Sequence, residues 1–136
     1  MISPRSKGST PRMIDHSHRI LMLEALERYL SKKMLVSVTR VAIAGRDQPV
    51  RVNGVTPDLM GVTQMVGQPV YGVVEECDTY AASDSVVRLD SLSRVASAAA
   101  YLVVPAACYE PAKSYVLATF PDRSITVLPY GKVEDG

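Results

Sequence analysis

The chain has 136 residues, 47% of them hydrophobic and 21% charged, which suits one packed globular domain and excludes wholesale disorder, a collagen-like repeat and a highly charged tail protein. Its longest apolar stretch, Ala98 to Cys108, is interrupted and reaches about half the roughly 20 residues that a membrane-spanning helix requires, so no membrane partner is expected. The net charge of +1 hides a split: residues 1–51 hold ten basic and four acidic side chains, a net of +6, and residues 52–136 hold five basic and ten acidic, a net of −5. A basic half suits a phosphate backbone and an acidic half a divalent cation, although solvated faces give the same imbalance. With only Cys77 and Cys108 and no apolar signal segment at the N-terminus, a secreted disulfide scaffold is not expected, and a reducing cytoplasm is the default.

Met1 to Pro11 is rich in Ser, Pro, Gly and basic residues without periodicity, and residues 1–14 read as a flexible basic arm. Residues 15–130 form the single expected domain, and 131–136 a C-terminal tail. From Ser17 to Met34, Ile20, Leu23, Leu26, Leu30 and Met34 recur at helical spacing and predict an amphipathic first helix, capped by Asp15 or Ser17. Leu35 to Ala44 reads as a strand, and Val50 to Met60 as a second, shorter one around Asn53-Gly54, a turn or a bulge. Gln68 to Asp78 gives a third strand whose Val-rich centre is expected to be buried on both faces, and short connections make the three an antiparallel meander. A second helix follows from Ser83 or Asp84 to about Ala100, then a strand at Tyr101 to Ala106, a third helix at Pro111 to Ala118 and a last strand at Ser124 to Pro129. A helix between the third and fourth strands requires parallel pairing of the fourth with a meander strand. The expected fold is therefore α/β, a central mixed sheet flanked by helices.

Several chemistries are absent from the sequence. It has no Walker-type Gly-Lys-Ser/Thr loop, no GxGxxG, no GxSxG elbow and no CxxC. His16 and His18 have no nucleophile at a recognisable spacing, and a zinc site built from them with Cys77 and Cys108 lacks any local spacing signature.

The acidic residues stand out instead. Asp58 follows Pro57, and Glu75, Glu76 and Asp78 end the very apolar third strand, where carboxylates must be solvated, paired or bound to a cation. Strand alternation puts Glu76 and Asp78 on one face and Glu75 with Cys77 on the other. If Asp58 points the same way as Glu76 and Asp78, three oxygen ligands converge, which suits Mg2+ or Mn2+. Glu27 falls on the inward stripe of the first helix and is a fourth candidate, unless it pairs with Arg40 or Arg51.

These residues resemble the PD-(D/E)XK nuclease superfamily, the restriction-endonuclease-like and Holliday-junction-resolvase-like fold. The resemblance covers about residues 17–130. Thr56-Pro57-Asp58-Leu59 is similar to its PD element, Val74-Glu75-Glu76-Cys77-Asp78 occupies the place of its second motif, and Arg88 to Leu92 followed by Tyr101 to Pro105 looks like the helix and strand after it. The family's lysine is missing, because Glu76-x-Asp78 is acidic where the lysine is expected. Arg88, on the inward stripe of the second helix, supplies a positive charge but not a base, unless it only pairs with Asp78 or Asp84.

The resemblance implies an α-β-β-β-α-β core and a metal-dependent DNA nuclease. Asp58, Glu76 and Asp78 would be the metal ligands, Glu27 would help them, and Arg88 would stabilise the phosphorane. The first rival is a degenerate member that binds nucleic acid or a protein without cleaving, favoured by the missing lysine. The second is a small subunit whose Tyr and Val surfaces belong in a homodimer, its acidic strand end merely solvated.

Overall fold

The computed structural model describes residues 4–131, with side chains from Ser17 onward. The elements run α1 (Pro4–Lys33), β1 (Val36–Val41), β2 (Leu59–Thr63), β3 (Pro69–Val74), α2 (Ser83–Ser93), β4 (Ala99–Pro105), a short 3-10 turn (Ala106–Cys108), α3 (Tyr109–Thr119) and β5 (Ile125–Tyr130). They form an α/β fold around one five-stranded mixed sheet in the order β1-β2-β3-β4-β5. The first three strands are an antiparallel meander, and β4 and β5 add in parallel to β3. No helix among the described residues is long and apolar enough to cross a membrane.

Helices lie on both faces because the strands are apolar on both. Along β3, Val70 and Val74 join Met22, Leu23, Leu26 and Leu30 of α1 in one core. Tyr71 and Val73 join Leu89 and Leu92 of α2, Ala112 and Val116 of α3 and Phe120 just after it in the other. Each fully buried Leu or Val contributes on the order of 2 kcal/mol through lost apolar exposure. Gly72 faces α1, and a Cβ there would lie 2.6 Å from Leu26 Cδ2 and 3.2 Å from Leu59 Cβ. Its hydrogen lets the helix sit directly on the sheet.

Several boundaries differ from the sequence reading. The second strand is Leu59–Thr63 rather than Val50 to Met60. Val52 and Val55 instead bridge each other across Asn53 (φ 52°) and Gly54 (φ 86°), a self-contained tight turn with two left-handed central residues. Gly61, just past the expected end of the second strand, lies in its interior, where a Cβ would meet the Ser37 carbonyl oxygen at 2.6 Å. The third strand ends at Val74.

The second helix ends at Ser93, not near Ala100. Ala99 and Ala100 fit a helical stripe as well as a strand, and pairing with Val70 and Ile125 decides for the strand. The first helix begins at Pro4, so most of the segment read as an arm has helical backbone. Proline at a first helical position loses no hydrogen bond there and has its φ already set.

The two cysteines, too few to suggest a framework, form a Cys77–Cys108 disulfide with Cα atoms 5.7 Å apart. It ties the turn after β3 to the connection between β4 and α3.

Candidate functional site

β3, β4 and β5 are parallel and end on the same side of the sheet, the side on which open α/β sheets place ligand crevices. Because β2 is antiparallel to β3, its start lies there too, and this puts Asp58 beside the end of β3. The Asp58 backbone N–H donates to the Gly72 carbonyl at 2.9 Å, and its carbonyl accepts from Ala42 at 2.8 Å. Asp58 is only 3% exposed, the one buried charged residue among those described.

A carboxylate so placed must be satisfied by donors. Oδ2 accepts the Val74 N–H at 2.9 Å. Oδ1 accepts from two guanidiniums, Arg19 of α1 and Arg88 of α2, the latter at 3.0 Å. The other arm of Arg88 donates to Glu75 Oε2 at 3.0 Å, and Glu75 Oε1 accepts the Thr79 hydroxyl at 2.7 Å. Thr79 in turn accepts the Glu76 N–H at 2.9 Å. Asp58, Glu75, Arg19 and Arg88 thus form a neutral network of two acids and two bases, closed from both faces of the sheet.

Burial pulls the Arg88 pKa down, but the charges of Asp58 and Glu75 and their hydrogen bonds outweigh it, and the guanidinium is held above its ordinary value. A guanidinium so held stays a cation. No buried side-chain nitrogen or oxygen among the described residues lacks a hydrogen-bond partner.

The register explains which glutamate joins. Leu59 stands opposite Gly72, so Asp58 stands opposite Val73 and shares its face. Alternation continues past β3, since the Glu75 N–H still donates to the Val103 carbonyl at 3.0 Å. Glu75 therefore follows Val73 toward α2 and meets Arg88, whereas Glu76 follows Val74 toward α1. There Glu76 Oε2 lies 2.8 Å from His18 Nδ1, and the His18 ring packs edge-on against Tyr130 with centroids 5.5 Å apart.

Of the residues singled out in the sequence, Asp58 and Arg88 come together, and Glu76 lies on the neighbouring face. Asp78 is exposed and joins no ion pair among the described residues. Glu27 is bound by Arg46 of the β1–β2 connection, at 2.6 and 3.2 Å, two helical turns or about 12 Å along α1 from Arg19. The structure thus brings Glu75 to Asp58 through Arg88, whereas alternation turns Glu76 to the α1 face and the turn after Val74 carries Asp78 away from the ladder.

Sequence reasoning missed Glu75, Arg19, His18 and Thr79 as partners. One of them left a signal. Arg19 stands in line with Leu23, Leu26 and Leu30 at helical spacing, and a charge on a buried stripe calls for a buried counter-charge.

The donor set decides whether a divalent cation suits this arrangement. Both oxygens of Asp58 and both of Glu75 already accept hydrogen bonds, three of them from cations or from the backbone. No group of three His, Cys, Asp or Glu side chains among the described residues is arranged to hold a metal ion. In this conformation two guanidiniums occupy the positions a cation would need. The carboxylates do not fit a metal unless Arg19 and Arg88 withdraw.

Comparison with models of known protein families, with curated proteins and with solved structures finds no match.

Proposed function

We propose that this chain is a PD-(D/E)XK-like protein that binds nucleic acid through its phosphates without cleaving it. The reading rests on one observation: Asp58, the residue of the PD-like element, is neutralised by Arg19 and Arg88 rather than left open to a cation. The missing lysine of the second motif supports it. So does the excess of basic residues in the first 51 positions, which extends N-terminally of Arg19 along α1 through Arg12, Lys7 and Arg5. A guanidinium fork matches phosphate as well as carboxylate. Arg19, about a third exposed, is the member best placed to donate to a phosphate while Arg88 keeps Asp58 satisfied.

A second reading, a DNA nuclease dependent on Mg2+ or Mn2+, is favoured by a different observation. Asp58 and Glu75 meet on a single guanidinium at the sheet end where the resembling family carries its acids. It requires the arginines to leave both carboxylates.

Binding and cleavage assays on duplex, branched and single-stranded DNA with magnesium, manganese or EDTA separate the readings. We expect DNA affinity that falls steeply with salt and is weakened by Arg19→Ala, with no cleavage under any condition. Metal-dependent cleavage that Asp58→Asn abolishes would replace this reading with the nuclease, and no DNA binding at low salt would reject both. A cytoplasmic home, which we also propose, requires the Cys77–Cys108 bridge to be opened by cellular thiols. Alkylation of free Cys77, whose residue is exposed, before cell lysis tests that.

A further inference from the structure

We propose that the opposite edge of the sheet, where Met34, Leu35, Val62, Met65 and Val66 come together, is a contact site for an anionic membrane surface. The β2–β3 hairpin tip is its inserted element. All five are exposed, Met65 at 86% and Val66 at 80%. Isolated exposed apolar residues need no explanation, but five on one rim do.

The tip is not loose chain. The Thr63 N–H donates to the Gln68 carbonyl at 2.9 Å, the Gly67 N–H to the Thr63 carbonyl at 3.0 Å, and the Gln68 N–H to the Thr63 hydroxyl at 2.9 Å. The Gln64 N–H donates to the Leu35 carbonyl at 3.0 Å, which fastens the tip to the α1–β1 turn. Met65 and Val66 are therefore presented by a hydrogen-bonded turn, next to Met34 and Leu35.

Leu35 supplies an independent observation. It sits just past the end of α1 with φ 53°, the left-handed position that Gly or Asn fills without strain and that a bulky side chain rarely adopts. Its side chain gains little packing in return, since the residue is 54% exposed. A strained, exposed leucine points to a role for the side chain outside the fold.

Charge selects the occupant. Lys32 and Lys33 are exposed at the end of α1 beside this rim, and no acidic residue occurs in 31–39 or 59–74. Asp122, before β5, lies three strand spacings from β2, about 14 Å away. A symmetric contact with a second copy would bring the same lysines together, and a phosphate backbone meeting Lys32 and Lys33 would leave Met65 and Val66 with nothing apolar to bury against. A convex apolar turn flanked by lysines fits a fluid surface with anionic headgroups, where a protein partner would need a matching hollow. The expectation of no membrane partner rested on the lack of a spanning segment, which a surface contact does not require.

Co-sedimentation of the full chain with phosphatidylcholine vesicles, with and without phosphatidylserine, tests the proposal. Binding is expected only with phosphatidylserine and should weaken with salt. The paired substitution Met65→Ser with Val66→Ser should reduce it about tenfold or more, and Lys32→Glu with Lys33→Glu should reduce it further. Leu35→Gly should lower vesicle binding while raising the melting temperature, the opposite of what a packing residue does. The proposal is overturned by absence of binding to phosphatidylserine vesicles at low salt, or by binding that the serine pair leaves unchanged. It also fails if the wild type is a dimer that the serine pair converts to a monomer, because a second copy then covers the rim.

Discussion

The two ends of the sheet solve opposite problems. At the end where β3, β4 and β5 finish, four charged side chains are drawn together and every one is paired, so that Asp58 can be 3% exposed without an orphaned charge. At the end where those strands begin, the chain leaves Met65 and Val66 almost wholly in water and brings no acid near Lys32 and Lys33. The same sheet thus carries a self-satisfied polar network at one end and an unsatisfied apolar rim at the other. The contrast teaches that charge marks the site here only through its pairing. The polar end is as much a structural element as a chemical one, whereas nothing in the fold requires the apolar rim.

The largest effect should come from unpairing the polar end. Asp58→Ala takes the carboxylate acceptor from Arg19, the shared one from Arg88, and the only one from the Val74 N–H, and removing one partner of a buried ion network costs about 3–5 kcal/mol. Chemical denaturation should show that loss. Arg19→Ala should cost less than Arg88→Ala, because the Arg19 side chain is 37% exposed and that of Arg88 20%. A stability change below about 1 kcal/mol for Asp58→Ala would mean that the network is a surface arrangement worth no more than exposed ion pairs.

The disulfide is the next lever, since it fastens the Glu75–Thr79 turn to the β4–α3 connection. It joins residues 31 apart in sequence, and closing a loop of that size stabilises by about 3–4 kcal/mol in the chain-entropy description. Denaturation with and without dithiothreitol should differ by that amount. The double substitution Cys77→Ser with Cys108→Ala should reproduce the reduced protein.

The smallest effect concerns Asp90 of α2, which pairs with Arg123 just before β5 and belongs to neither the polar network nor the apolar rim. Its hydrogen bond from Arg123, at 2.8 Å, holds its carboxyl below the ordinary carboxylate value, with burial opposing and Arg94 assisting. A lowered folded-state pKa contributes stability above the unfolded value, near 3.8, and that contribution is lost as the pH falls through the folded one. The side chain is 35% exposed, so screening keeps the effect small. Melting curves of wild type and Asp90→Asn should differ near neutral pH and converge in strong acid.

Much of the fold was legible in the sequence. Periodicities of 3.6 and 2 gave the order of helix, three strands, helix, strand, helix and strand, and the crossover rule required β4 to pair in parallel with a meander strand, which the structure shows to be β3. These are local properties, because a segment must bury its apolar face whatever it packs against. The ambiguous boundaries were those where one composition suits two conformations. Ala96 to Ala100 fits either element, and Gly61, just past the expected end of the second strand, lies inside it.

The candidate site was half legible. Asp58 and Arg88 could be named because a carboxylate after a proline at a strand start and an arginine on a buried stripe are local anomalies. That Glu75 rather than Glu76 faces them could not be named, because it depends on which residue of β3 stands opposite Leu59, and a one-residue slip in register sends every side chain to the other face. The positions of Arg19 and Glu27 were likewise decided only when α1 settled on Gly72 and the β1–β2 connection brought Arg46 to Glu27. Local periodicity shows which residues must be buried and, apart from Val50 to Met60 and Ala99–Ala100, in which kind of element. The tertiary structure decided which charges meet, because pairing across a sheet is set by register and helix placement, and neither is a property of any single segment.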